Sequence, residues 1–162
     1  DTVGKGGAIA DYVQSEKFDI DAILELAFAA SSMDAGNIPR LTLALKSTDP
    51  VQRYWAVLGL MVLKEKSAGS ADAVRALLQD EYSVIRTTAG EALITWGERD
   101  TAEKALLAEV GVVKETHSLL FLFNTLRRHD LINKVPKDWT KGKATNDRDF
   151  HYVRKSYSRK DE

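Results

Sequence analysis

The feature that most constrains this chain is a pattern that occurs twice. Arg53, Ala56, Leu60 and Leu63 keep one helical spacing, and Arg86, Ala89, Leu93 and Trp96 repeat it. A fixed period of about 33 residues marks stacked helical units, none of which can bury its apolar face alone. The first copy has a strong start signal. Asp49 is suited to cap free backbone N–H groups, and Pro50 suits the first helical position, where no donor is needed. Ala56, Gly59, Leu60 and Leu63 then fall on one stripe of a helix.

The same reasoning extends along the chain. Spacing and turn signals predict helices over 20–31, about 39–46, 49–63, 71–79, 83–96, 100 to about 110, and 116–129. Phe18, Asp19 and Ile23 occupy the positions of a hydrophobic staple and its cap. In the helix they open, Ile23, Leu24, Ala27, Phe28 and Ala30 are expected inside. Residues 33–37, MDAGN, read as a turn. Leu41 and Leu45 should point inward, as should Val74 and Leu78, one period later. Ser70 reads as an N-cap, Asp100 with Glu103 as a capping box, and Gly97 and Gly111 as helix stops. A shorter helix is expected over 8–15.

The predicted fold is therefore all-α. A flexible lead occupies 1–17, stacked helix pairs 18–132, and a basic tail 133–162. One continuous core should run through the stack. The tail carries nine Lys/Arg against five Asp/Glu, about +4, whereas the whole chain carries −1. It also holds Trp139, Phe150, Tyr152 and Tyr157, more aromatics than a free tail usually has, so part of it should pack, with a short helix near 150–157.

Composition narrows the chemistry. Cysteine is absent from the 162 residues, which removes disulfides, thiolate metal sites and cysteine nucleophiles together. No apolar run approaches the length of a membrane span. The start, DTVGKGGAIADY, lacks the apolar core of a signal peptide, so an exported parent would make this a mature or internal fragment. Gly4-Lys5-Gly6-Gly7 lacks the spacing and preceding strand of a phosphate loop. Asp147, Asp149 and His151 alternate as in a metal-binding strand, but no fourth ligand is in view, and solvated polar residues are the simpler reading. His117 and His129 stand near opposite ends of one helix, too far apart for a ligand pair. No cofactor, metal or catalytic residue is expected.

Two features point to interactions instead. Arg53 and Arg86 recur at one register, with Asp49 and Asp80 as the acidic turn residues nearest to hand, which predicts an inter-repeat polar ladder. The helix over 49–63 is apolar all round: Tyr54, Leu58 and Met61 lie on its far face, with Trp55 and Val62 beside them. The matching positions one unit later are Thr87, Glu91 and Ile94, beside Thr88 and Thr95. A helix apolar on every side is normally covered on every side. Tyr54, Trp55, Leu58, Met61 and Val62 are therefore the candidate docking face, covered from within the chain or by an outside protein. Gly59 at mid-helix predicts close approach of another backbone.

These motifs carry two resemblances. Gln52-Arg53 with Ala56 and Leu60, and Val84-Ile85-Arg86 with Ala89, Ala92 and Leu93, resemble HEAT-like repeats. In such arrays the arginine bridges neighbouring units, and the implied architecture is a right-handed α-solenoid of about three helix pairs. The order Ile23-Leu24-x-x-Ala27, Asn37-Ile38-Pro39-Arg40-Leu41 and Asp49-Pro50-Val51-x-Arg53-Tyr54-Trp55-Ala56-Val57-x-Gly59-Leu60 resembles the C-terminal helical extension of bacterial sulfatases, over roughly 20–110. Phe123-Asn124-Thr125-Leu126 and Tyr152-Val153-Arg154 are similar to its later motifs. Sulfatases need Cys or Ser two residues before a proline, for conversion to formylglycine. Here Asn37, Thr48 and Lys134 stand there, so the nucleophile motif is absent. The resemblance implies a non-catalytic scaffold or docking domain of a periplasmic or extracellular sulfatase, with the catalytic domain or another subunit as protein partner. A stand-alone HEAT-like adaptor is the alternative. A nucleic-acid-binding repeat using the basic tail is a weaker one, since only a few charges favour it.

Overall fold

A computed structural model describes residues 19–139 together with Val153, Lys155 and Tyr157. These residues are all-helical, with no strand among them. The seven helices are α1 (Ile20–Ser31), α2 (Ile38–Ala44), α3 (Pro50–Val62), α4 (Ala71–Ala76), α5 (Ser83–Thr95), α6 (Arg99–Val112) and α7 (Thr116–Arg128). Short 3-10 turns join several of them, at Ala35–Asn37, Lys64–Ser70, Leu77–Gln79 and Ile132–Lys134. The glycine-rich start, the segment 8–15, Phe18, and Asp147, Asp149, Phe150, His151 and Tyr152 lie outside the described residues.

Local chemistry explains the clearest starts. Asp19 accepts from the Ala22 N–H at 2.9 Å and Asp49 from the Val51 N–H at 2.8 Å, satisfying donors that have no intrahelical partner. Other expected caps do not form. Ser70 instead meets the Thr42 hydroxyl at 2.8 Å, tying α4 to α2. Glu103 is drawn to Lys134, and neither it nor Asp100 closes a capping box. Gly111 lies inside α6, which ends at Val112.

The ends of the long helices repeat more regularly than their starts. Met33, Lys64, Gly97 and Asp130 are the described residues with positive φ, and each lies just beyond a long helix: α1, α3, α5 and α7. Beyond α5 and α7 the six-residue closure of a Schellman turn is present. The Glu98 N–H bonds the Leu93 carbonyl at 2.9 Å, and the Leu131 N–H bonds the Leu126 carbonyl at 2.7 Å.

The long helices pack in chain order. Helix α3 lies against α1, α2 and α5, and α5 lies against α3, α4, α6 and α7. Helix α5 is thus the most enclosed element, with Ile85 and every residue from Thr87 to Leu93 buried. Thr87, Thr88 and Glu91, expected on an amphipathic outer face, are inside, and Thr95 is half-buried. The core has two parts. One gathers Leu41, Leu60, Val74 and Leu93; the other gathers Leu106, Leu122, Phe123 and Leu126; Ile94 packs against both. The break falls where Gly90 meets Leu106.

The described part of the tail packs on α7. Trp139 and Val153 are buried in the second core, and the Trp139 ring centroid is 4.7 Å from that of Phe123. The Tyr157 ring lies 5.0 Å from Phe123 and under the Arg127 guanidinium, and its hydroxyl meets Asn124.

Candidate docking face

The arginines come first, because they set the spacing between units. Arg53 spans from α3 to the turn before α5. Its Nε and Nη2 donate to the two Asp80 carboxylate oxygens at 2.7 and 3.1 Å, while Nη1 donates to the Ser47 and Thr48 carbonyls at 3.0 and 3.2 Å. Arg86 repeats the arrangement one unit on. Its Nε and Nη2 donate to Glu109 at 2.8 and 2.6 Å, and its Nη1 to the Asp80 and Glu81 carbonyls at 2.5 and 3.0 Å. Each guanidinium holds its own turn with one nitrogen and clamps the next unit's acid with a two-pronged fork. The hydrogen bond to Asp80 raises the Arg53 pKa above its ordinary value, and the bond to Glu109 does the same for Arg86.

Asp49 caps its own helix through one oxygen, and its other oxygen, buried, has no hydrogen-bond partner. Asp80 corresponds to Ser47, not to Asp49. Both accept from the N–H two residues on, Ser47 from Asp49 at 3.1 Å and Asp80 from Tyr82 at 2.9 Å, and both give a carbonyl to the arginine six residues on. One period after Asp49 stands Tyr82, so Asp80 falls two positions before the register of Asp49. Glu109 was missed. Its signal is an acid beside Val110 and Leu106 on the inner side of α6, a place an acid holds only when paired. A further fork joins Arg75 to Glu98 at 2.6 Å.

Leu119 takes the arginine's position in the third unit and lies in the second core. The cross-helix link there is Glu91, which is 5% exposed and meets Arg128 and, at 3.2 Å, the His129 Nε2. His117 is exposed. Among the described residues, no cluster of acids and histidines could hold a metal, and no helix is long and apolar enough to cross a membrane.

The apolar surface is distributed differently from the expected face. Tyr54, Trp55, Leu58 and Met61 are half-buried, Trp55 and Met61 pack on the first core, and Val62 alone of the five is exposed, at 40%. Helix α1 covers one flank of α3. A Cβ added to Gly59 would lie 2.7 Å from both the Cα and the Cβ of Ala30. That contact also fixes how α1 is turned. With Leu26, Ala29 and Ala30 against the stack, Leu24 and Phe28, expected inside, face out. Ile20, Leu24 and Phe28 are 47%, 47% and 75% exposed, at i, i+4 and i+8 on one stripe.

Helix α1 packs on α3, and of the large apolar residues of these two helices Ile20, Leu24, Phe28 and Val62 are exposed. One unit on, Thr87 and Glu91 stand where Tyr54 and Leu58 stood, and Arg128 caps Glu91, so the apolar surface stops at α5.

No protein-family model, curated protein or solved structure matches this chain.

Proposed function

We propose that this chain is a non-catalytic docking domain, a right-handed α-solenoid of HEAT-like helix pairs that holds a partner domain against its first two long helices. The observation that carries this reading is the outer stripe of α1, where three large apolar residues stand exposed at helical spacing. Contiguous apolar surface of this kind is characteristic of interaction sites. The solenoid reading draws support from the repeated arginine forks and from the left-handed residue ending each long helix.

The partner we propose is the catalytic domain of a bacterial sulfatase, for which this chain is the C-terminal extension. Support for that partner comes from the motif order around 20–60 alone. Mixing this chain with a separately produced sulfatase catalytic domain tests it by gel filtration. A one-to-one complex that Leu24→Glu with Phe28→Glu dissolves, while Val112→Glu does not, is the expected result. Val112 is 61% exposed on α6, away from the face, and controls for any exposed apolar residue. Lack of a complex would remove the sulfatase reading and leave the stand-alone adaptor. Turnover of a sulfate ester by this chain alone would remove both.

A further inference from the structure

The seam between α5 and α7 buries hydroxyl groups that the protein itself does not pair. Thr87 on α5 and Thr125 on α7 are wholly buried, and neither Oγ1 has a hydrogen-bond partner within the protein. Elsewhere on α5, Thr88 and Thr95 donate to carbonyls of their own helix, four residues back, at 2.8 and 3.1 Å. A buried hydroxyl left unpaired is costly, and native cores rarely contain one. The two threonines stand at one level. Arg99, opening α6, reaches the His129 carbonyl at the end of α7 at 2.7 Å, and Glu109, near the end of α6, accepts from Ser83 and Arg86 in the first turn of α5. Helix α6 therefore runs against both neighbours, and α5 and α7 run in the same direction. Glu91 of α5 meets Arg128 and His129 of α7. One turn back on the same side of each helix, Thr87 comes opposite Thr125.

We infer that one water molecule is bound inside the α5–α7 seam, bridging the hydroxyls of Thr87 and Thr125. Each hydroxyl both donates and accepts, so a single water satisfies the pair. The repeat supplies the room. One period earlier, where α3 packs on α5, the same two positions are Tyr54 and Ala92. A tyrosine with an alanine fills more of a seam than two threonines do, and the difference is of the order of one water. The water adds a polar link beside the Glu91 contacts, where the two parts of the core meet. The inference does not depend on the docking face, which lies at the other end of the stack.

A crystal structure of the full chain, with urea titration of three variants, tests it. One ordered water within about 3.2 Å of both Oγ1 atoms is expected. Thr87→Val and Thr125→Val keep the side-chain shape and drop the hydroxyl. Each should raise the unfolding equilibrium constant about fivefold or more, because the other hydroxyl is then left with a poorly held water. The double variant should raise it no further than either single one, since both ends of the bridge are gone together. A direct bond between the two hydroxyls, or hydroxyls turned onto the carbonyls of their own helices, would overturn the inference. Losses that simply add in the double variant would overturn it too. Should a valine variant fail to fold, the water in the unaltered chain decides by its presence or absence.

Discussion

Met33, Lys64 and Asp130 hold a backbone conformation that costs an L-residue roughly 1–2 kcal/mol and glycine almost nothing. Glycine occupies that place only at position 97. Lys64→Gly should therefore raise stability by about 0.5–1 kcal/mol, the relief of strain being partly offset by the freer unfolded chain. Gly97→Ala should lower it by about 1 kcal/mol, both read by urea titration. The arginine forks differ by burial. Arg53 and Asp80 have side chains 10% and 4% exposed, so Arg53→Ala strands a buried carboxylate and should cost about 3 kcal/mol. Arg75 and Glu98 are 39% and 29% exposed, and Arg75→Ala should cost about 1 kcal/mol or less. The sign of the pH effect follows from the raised Arg53 pKa. A group whose folded pKa lies above its unfolded value contributes fully below the unfolded value and loses that contribution only as pH rises beyond it. The Arg53–Asp80 pair should therefore give no loss of stability on alkaline titration short of the guanidinium range.

At the scale of the helix, two glycines look alike in sequence and differ in surroundings. A Cβ at Gly59 meets the Ala30 backbone at 2.7 Å, whereas one at Gly90 meets the Leu106 side chain at 2.8 Å. Backbone cannot step aside, and a leucine can turn. Gly59→Ala should thus lower stability by about 2 kcal/mol, despite roughly 1 kcal/mol gained in helix propensity. Gly90→Ala should lower it by less, and thermal melts of the two variants give the order. The sequence foretold close approach at Gly59 because a mid-helix glycine needs a reason. It misjudged the rotation of α1, because Leu24 and Phe28 are as apolar as Leu26 and Ala30. Periodicity shows that a helix has an apolar side. When nearly every side is apolar, only the partner selects which one is buried, and here the small residues at Ala30 and Gly59 did so.

At the scale of the molecule, the two ends are finished differently. The far end is closed by Trp139, Val153 and Tyr157 against α7. Trp139→Ala should remove about 3 kcal/mol of stability and expose Phe123, measurable as a lowered urea midpoint. The near end presents the α1 stripe, where Leu24→Glu and Phe28→Glu should change stability by no more than about 0.5 kcal/mol while abolishing any association through that face. Thr87→Ala with Glu91→Ala would not be a neutral comparison, since both side chains are buried and Glu91 holds Arg128.

What the sequence determined by itself is the all-helical character of the described residues and the approximate places of their helices, because capping, proline placement and apolar spacing act within a few residues. It also marked Arg53 and Arg86 as equivalent. Tertiary structure decided which acid each arginine takes, which side of α1 is buried, and that α5 rather than α3 is the enclosed centre. Those outcomes depend on contacts between residues far apart in the chain, where a two-residue shift moves Asp80 from one role to another and a single alanine–glycine contact turns a whole helix.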